Sequence, residues 1–185
     1  MLQVNVQLTR DNDNGPNGPP QTGTDVKRSP ALSFRPEGVS DPCTQCAALC
    51  WRQVQGRIEV LLVTSRETGR WVIPKGWPIE GLPLTAGAAC EAWEEAGVRG
   101  DIGEACLGVY SYDKVLDRAG ETPQAVPCVV AVYPMQVTTL RRDFPEAAQR
   151  RTKWFALDKA ARKVLEPELA ALIAGFRPDA GGPTA

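Results

Sequence analysis

Histidine is absent from all 185 residues. Its absence excludes Ser/His and Cys/His nucleophile pairs, imidazole metal ligands and a histidine general base. Acid–base chemistry must therefore fall to carboxylates, lysine, tyrosine, cysteine or metal-bound water. No apolar run approaches the ~20 residues that a membrane-spanning helix requires. The start, Met1-Leu-Gln-Val-Asn-Val-Gln-Leu-Thr-Arg10, lacks the basic opening and apolar stretch of a secretory signal. A cytoplasmic protein without membrane contact is expected. Neither sign of charge prevails, because 21 Lys and Arg against 22 Asp and Glu leave a net charge of −1. No global field attracts nucleic acid, so a phosphate-rich ligand needs a local basic cluster.

A composition of 43% hydrophobic and 23% charged residues is that of a globular protein long enough for one unstapled domain. Residues 1–40 are punctuated by Asn, Asp, Gly and Pro, as in Asp11-Asn-Asp-Asn-Gly-Pro-Asn-Gly-Pro-Pro20. Such a segment buries too little apolar surface to offset its ordering entropy and reads as a disordered arm. Residues 41–176 form the expected domain, and 177–185 a flexible tail. The six cysteines read as reduced thiols. Cys43-x2-Cys46, with Cys50 nearby, has the spacing of half a zinc site, but no second half completes four ligands. Cys46 and Cys50 then serve as small apolar residues at the first strand.

Strand patterns cover Ala47 to Trp51, Ile58 to Thr64, Trp71 to Ile73, Leu107 to Tyr112, Val126 to Val137 and Lys153 to Ala156. A helix fits Thr85 to Ala96, with Thr85 as N-cap and Gly97 just past its end. A second helical region, Asp158 to Phe176, breaks at Glu166-Pro167. Strands and helices mix without a regular βα repeat, which favours an α/β/α sandwich over a doubly wound parallel sheet.

Within Ala88 to Val98, Glu91, Glu94 and Glu95 share an arc of about 100° at helical spacing. Ala89, Ala92, Trp93 and Ala96 are expected on the opposite, core-facing side. Three like charges at i, i+3 and i+4 repel, and a hard divalent cation with oxygen ligands would offset that repulsion. An isolated triplet of this kind is more often a solvated helix face.

The segment upstream changes that reading. Trp71-Val-Ile-Pro-Lys-Gly-Trp-Pro78, followed by the acidic helix and Gly97-Val98, resembles the Nudix signature. That signature runs Gly, five residues, Glu, seven residues, Arg-Glu, an aliphatic, any residue, Glu-Glu, any residue, Gly, an aliphatic. Gly76, Glu91, Glu94, Glu95 and Gly97-Val98 keep its register without a gap. Leu82 stands where the first Glu belongs and Cys90 where the Arg belongs. Losing both charges together reads as a compensated swap, since losing one alone would strand its partner. The likeness extends from about Cys46 to Ile173. It is strongest to the diphosphoinositol polyphosphate phosphohydrolase branch, through Ala48-Leu-Cys-Trp-Arg52, Val60-Leu-Leu-Val-Thr-Ser-Arg66, Gly69-Arg-Trp-Val-Ile-Pro-Lys75 and Lys153-Trp-Phe155.

The resemblance implies an α+β fold of Nudix type, an α/β/α sandwich around a mixed central sheet. It also implies a hydrolase of diphosphate linkages in nucleoside- or inositol-type polyphosphates, with Mg²⁺ or Mn²⁺ at Glu91, Glu94, Glu95 and the Gly76 carbonyl. Arg52, Arg66, Arg70 and Lys75, basic residues leading into the box, are candidates for phosphate contact. A second basic run, Arg141-Arg142 and Arg150-Arg151-Lys153, brackets Phe144-Pro-Glu146. Glu146 is the first candidate for a further catalytic carboxylate outside the box, and Glu121 the second. A catalytically weak Nudix module that binds a nucleotide or phosphorylated metabolite as a sensor is the alternative, motivated by Leu82 and Cys90. The substrate stays open among inositol pyrophosphates, dinucleoside polyphosphates, nucleoside diphosphate sugars and damaged nucleotides.

Overall fold

The computed structural model of the chain describes residues 43–117 and 124–178. The expected N-terminal arm, Glu121 and residues 179–185 of the expected tail lie outside the described residues. In chain order the elements are β1 (Cys43–Val54), β2 (Arg57–Thr64), β3 (Trp71–Val72), β4 (Lys75–Gly76), α1 (Leu84–Ala96) and β5 (Val98–Ile102). Then follow β6 (Gly108–Asp117), β7 (Gln124–Leu140), β8 (Thr152–Ala156), α2 (Leu157–Ala161) and α3 (Pro167–Gly175).

All the strands join one sheet, with the path β3-β2-β1-β7-β5 and with β8 on β2, β6 on β7 and β4 on β1. β1 pairs with β7 in parallel, whereas its pairings with β2 and β4 are antiparallel, so the sheet is mixed. The turn between β1 and β2 uses Gln55 and Gly56, both at positive φ (50° and 76°), as a tight hairpin of matching twist requires.

β1 reads as a continuous apolar run because both its faces are covered. Ala47 and Leu49 point into one core with Val60, Leu62, Leu169 and Ile173, beneath α2 and α3. Cys46, Ala48 and Cys50 point into the other, with Leu61, Val63, Ala88, Ala92 and Ala96 of α1. Period-2 alternation along β1 and β2 thus feeds two layers, and the architecture is the expected α/β/α sandwich. No helix among the described residues is long and apolar enough to cross a membrane.

Three sequence expectations are corrected. Cys43 and Cys128 are not thiols but a disulfide. They are register partners across the parallel β1–β7 pair, their Cα atoms 4.4 Å apart, within bridging range. Helix α1 starts at Leu84, with Pro83 rather than Thr85 at its cap and no side-chain capping bond. The proline presets an extended entry, and its carbonyl accepts from the Ala86 N–H at 3.0 Å. Lastly, β5 went unpredicted, because Arg99-Gly100-Asp101 carries no apolar run. It is an edge strand held to β7, where Gly100 comes too close to the Gln136 carbonyl to carry a Cβ.

Gly97 ends α1 as expected, in the left-handed conformation at φ 67°. A Cβ there would lie 2.5 Å from both the Arg141 carbonyl oxygen and Phe144 Cδ1. Gly97→Ala is expected to lower stability by roughly 2–4 kcal/mol, the left-handed penalty plus the overlap. A urea titration measures it, and an unchanged midpoint refutes it.

Candidate active site

Helix α1 turns its carboxylates differently from the sequence expectation. Glu91 and Glu95 are only 3% and 5% exposed and share the inward face with Ala88, Ala92 and Ala96. Ala88, Glu91, Ala92 and Glu95 fall within about 100° of arc, so turning Ala88 and Ala92 into the core carries both acids inward with them. Trp93, expected in the core, is half-buried with the Arg99 guanidinium 4.5 Å above its ring.

Those two acids meet β4. A Cβ added to Gly76 would overlap all three carboxyl atoms of Glu91. Glu95 Oε2 accepts a hydrogen bond from the Lys75 backbone N–H at 3.1 Å, and its Oε1 accepts from Arg150 Nη2. Burial pushes the Glu95 carboxyl up to about 7, against the downward pull of Arg150 and Lys75, and the neighbouring Glu91 charge adds to the rise. Burial likewise lowers the Lys75 ammonium below its ordinary value, with Glu95 opposing.

Around this pair opens a cleft of about 690 Å³. Gly76, Glu91, Glu95, Glu146, Arg66, Arg70 and Lys75 line it, so most of the expected site residues are brought together. Glu146 arrives from the loop before β8, its backbone N–H bonded to the Glu94 carbonyl at 3.0 Å. Its Oε1 accepts from Arg66 at 3.2 Å, and its Oε2 from Arg150 Nε. Arg70 pairs with Glu166 at the start of α3, and Tyr112 donates to Gln45 Oε1 at 2.7 Å.

Two expected residues stand apart. Glu94 does not line the cleft and instead accepts from the Cys90 thiol at 3.2 Å. Arg52 does not line it either, being bonded across the β1–β2 hairpin to Glu59 and lying 4.2 Å from the Trp154 ring centre. Of the second basic run only Arg150 reaches the cleft. The signature departure Leu82 is 54% exposed. Sequence reasoning missed Gln45, Tyr112, Lys114 and Glu166, and nothing in their local sequence marks them. Arg150 was flagged only as one member of a charge run.

A mixed sheet between helices, with Glu91 packed on Gly76 and Glu95 bonded to the Lys75 N–H, is the arrangement expected of a Nudix-type hydrolase fold. The NUDIX domain profile matches residues 44–176, and the chain belongs to this family. It is 35% identical over 144 residues to human diphosphoinositol polyphosphate phosphohydrolase 3-beta, covering 76% of this chain and 77% of that protein. Nudix hydrolase 16, mitochondrial, of Arabidopsis thaliana is 31% identical over 120 residues, covering 64% and 66%. Among solved structures, the NUDIX domain of Shewanella oneidensis NrtR complexed with ADP ribose aligns at a TM-score of 0.54 with 17% identity. That alignment covers 76% of this chain and 92% of that one. The chain is a Nudix-type diphosphate hydrolase, similar to the diphosphoinositol polyphosphate phosphohydrolase branch.

Proposed function

We propose that the protein hydrolyses the diphosphate linkage of a nucleoside- or inositol-type polyphosphate by attack of water on phosphorus, with Mg²⁺ or Mn²⁺ bound beside Glu91 and Glu95. The observation that carries this reading is the convergence of two almost fully buried carboxylates on β4, Glu91 against Gly76 and Glu95 on the Lys75 N–H, at the wall of a cleft bordered by cations. Among the described residues no three Asp, Glu, Cys or His side chains form a finished metal cluster. The donors nevertheless suit a hard cation that takes a few carboxylates and completes its shell with water and substrate phosphate. Two buried carboxylates on one helix face favour a compensating positive charge. Glu91 and Glu95 would hold the ion, with the Gly76 carbonyl as a further donor. When bound, it polarises phosphate oxygens and activates water.

The chain's own residues supply the remainder. Arg66, Arg70, Lys75 and Lys114 border the cleft and attract the phosphates, with guanidinium groups suited to bidentate contact. With no histidine, the proton released by the attacking water passes to a carboxylate, and Glu91 and Glu146 border the same space. The name of the human relative favours an inositol-type substrate, whereas the cleft lining mixes five cations with six carboxylates. A nucleoside-type diphosphate of lower charge density suits that balance equally well.

The test is phosphate release across inositol pyrophosphates, dinucleoside polyphosphates, nucleoside diphosphate sugars and oxidised nucleotides, with Mg²⁺, with Mn²⁺ and with chelator. Metal-dependent turnover of at least one class is expected. Binding of a panel member without turnover under any metal condition would instead establish the sensor alternative that Leu82 and Cys90 motivate.

Placement in the cleft predicts two further kinetic outcomes. Lys114, its ammonium 4.5 Å from the Trp77 ring centre, borders the cleft in which the phosphates would bind. Lys114→Ala is expected to raise KM roughly tenfold with kcat within about twofold, as loss of a charged binding contact does. Arg52→Ala is expected to leave both constants within about twofold, because Arg52 lies outside the cleft. Steady-state kinetics on the best panel substrate measure both, and a reversed ranking of the two variants contradicts this placement.

A further inference from the structure

We infer that Arg150 is the positioning residue of this active site, supplying from a loop the guanidinium charge that the signature carries on the helix at position 90. The inference rests on the reading of Glu95 as a metal-holding carboxylate. Position 90 is Cys, and its thiol meets Glu94 rather than bringing positive charge to the box. Arg150 comes from the loop before β8, 55 residues further along the chain than Glu95. Its side chain is only 6% exposed, and every nitrogen of the guanidinium is committed. Nη2 donates to Glu95 Oε1, Nε to Glu146 Oε2, and Nη1 to the Thr64 carbonyl at 2.9 Å.

This geometry decides between two roles. A phosphate-binding arginine keeps donors open toward its ligand, as a fork that reads oxygens. Arg150 spends its fork on the protein, tying the box helix, the loop of Glu146 and the end of β2 to one plane. The adjacent Arg151 strengthens that anchor, its backbone N–H donating to Thr64 Oγ1 at 3.0 Å. With the Lys75 N–H on the other oxygen of Glu95, the carboxylate is gripped from both sides. Partners of this kind orient the residues that act, and their loss typically costs 10–100-fold in activity. Lysine cannot reproduce the grip, because one ammonium is a point charge without the planar span.

The experiment compares Arg150→Ala, Arg150→Lys, Glu95→Gln and the Arg150→Ala/Glu95→Gln double variant in the full chain. Each is assayed with Mg²⁺ on the panel diphosphate that the wild type hydrolyses fastest. Both Arg150 variants are expected to lose about 10–100-fold in kcat with KM within about twofold. Millimolar guanidinium is expected to restore part of the Arg150→Ala rate and none of the Glu95→Gln rate. In the Glu95→Gln background, Arg150→Ala is expected to cost under about threefold, since a residue acting through Glu95 has little left to position. Should Arg150→Ala fail to fold by circular dichroism, the kcat and KM of Arg150→Lys decide. A raised KM with unchanged kcat would make Arg150 a phosphate contact and overturn the inference, as would unchanged constants. A fully active Glu95→Gln would instead overturn the metal-site reading on which it rests.

Discussion

Replacing Glu95 by glutamine is expected to lower kcat by about 10²–10³-fold, a loss of about 3–4 kcal/mol of transition-state stabilisation. The substitution preserves volume, so the fold is expected to survive, but it removes charge where charge is hardest to replace. Glu95 accepts on both oxygens, from Arg150 and from the Lys75 N–H. Glutamine has one acceptor and one amide donor, so one of those partners would face a donor. Any bound cation also loses a full negative ligand in a buried site. Glu94→Gln is expected to cost at least tenfold less, because Glu94 lies outside the cleft lining. Measured kcat values that rank Glu94 above Glu95, or a Glu95→Gln enzyme with wild-type turnover, would refute the assignment of roles within the triplet.

That difference between neighbouring acids was not legible in the sequence, for a definite physical reason. A helical wheel sorts residues by type, and by type all three acids belong outside. Glu95 is held inside by compensating groups that arrive from elsewhere. The Lys75 N–H is 20 residues away and Arg150 is 55 residues away. Sequence spacing reveals periodicity along one element and nothing of what another element brings. Arg52 fails the same way in reverse. It is near the box in sequence and shares β1 with Cys46, the register partner of Gly76. Six residues at ~3.3 Å each carry it about 20 Å along the strand, away from β4.

Where the signal is local, the sequence was a sound guide. β1 and β2 follow from apolar runs divided by Gln55-Gly56, and the end of α1 from Gly97. The break before Pro167 was also legible, since proline suits the first turn of α3 and not a helix interior. Elements lacking such marks were hidden. β5 is polar along an edge, and Glu166 looks like a surface acid until Arg70 is placed against it. The disulfide depended on the parallel register of β1 and β7, which joins residues 85 apart.

Gly76 is where local sequence and distant packing meet, and it carries the second large expected effect. A left-handed backbone is not what requires this signature glycine, because Gly76 is not among the positive-φ glycines. The requirement is space, because a single methyl there would occupy the volume of the Glu91 carboxyl group. The obstruction is the charged end of a buried side chain, and moving it displaces the group that the proposed site needs. Gly76→Ala is therefore expected to lower kcat by about 10²-fold or more while lowering stability only by roughly 1–3 kcal/mol, the usual cost of overpacking. Combining it with Glu91→Ala frees the carboxyl volume, so the stability loss is expected to reverse in the double variant while activity stays low. Thermal melts and turnover on the two single variants and the double variant read both quantities. If Gly76→Ala keeps wild-type kcat, or if removing the Glu91 carboxylate fails to relieve its destabilisation, the contact between Gly76 and Glu91 does not organise the site.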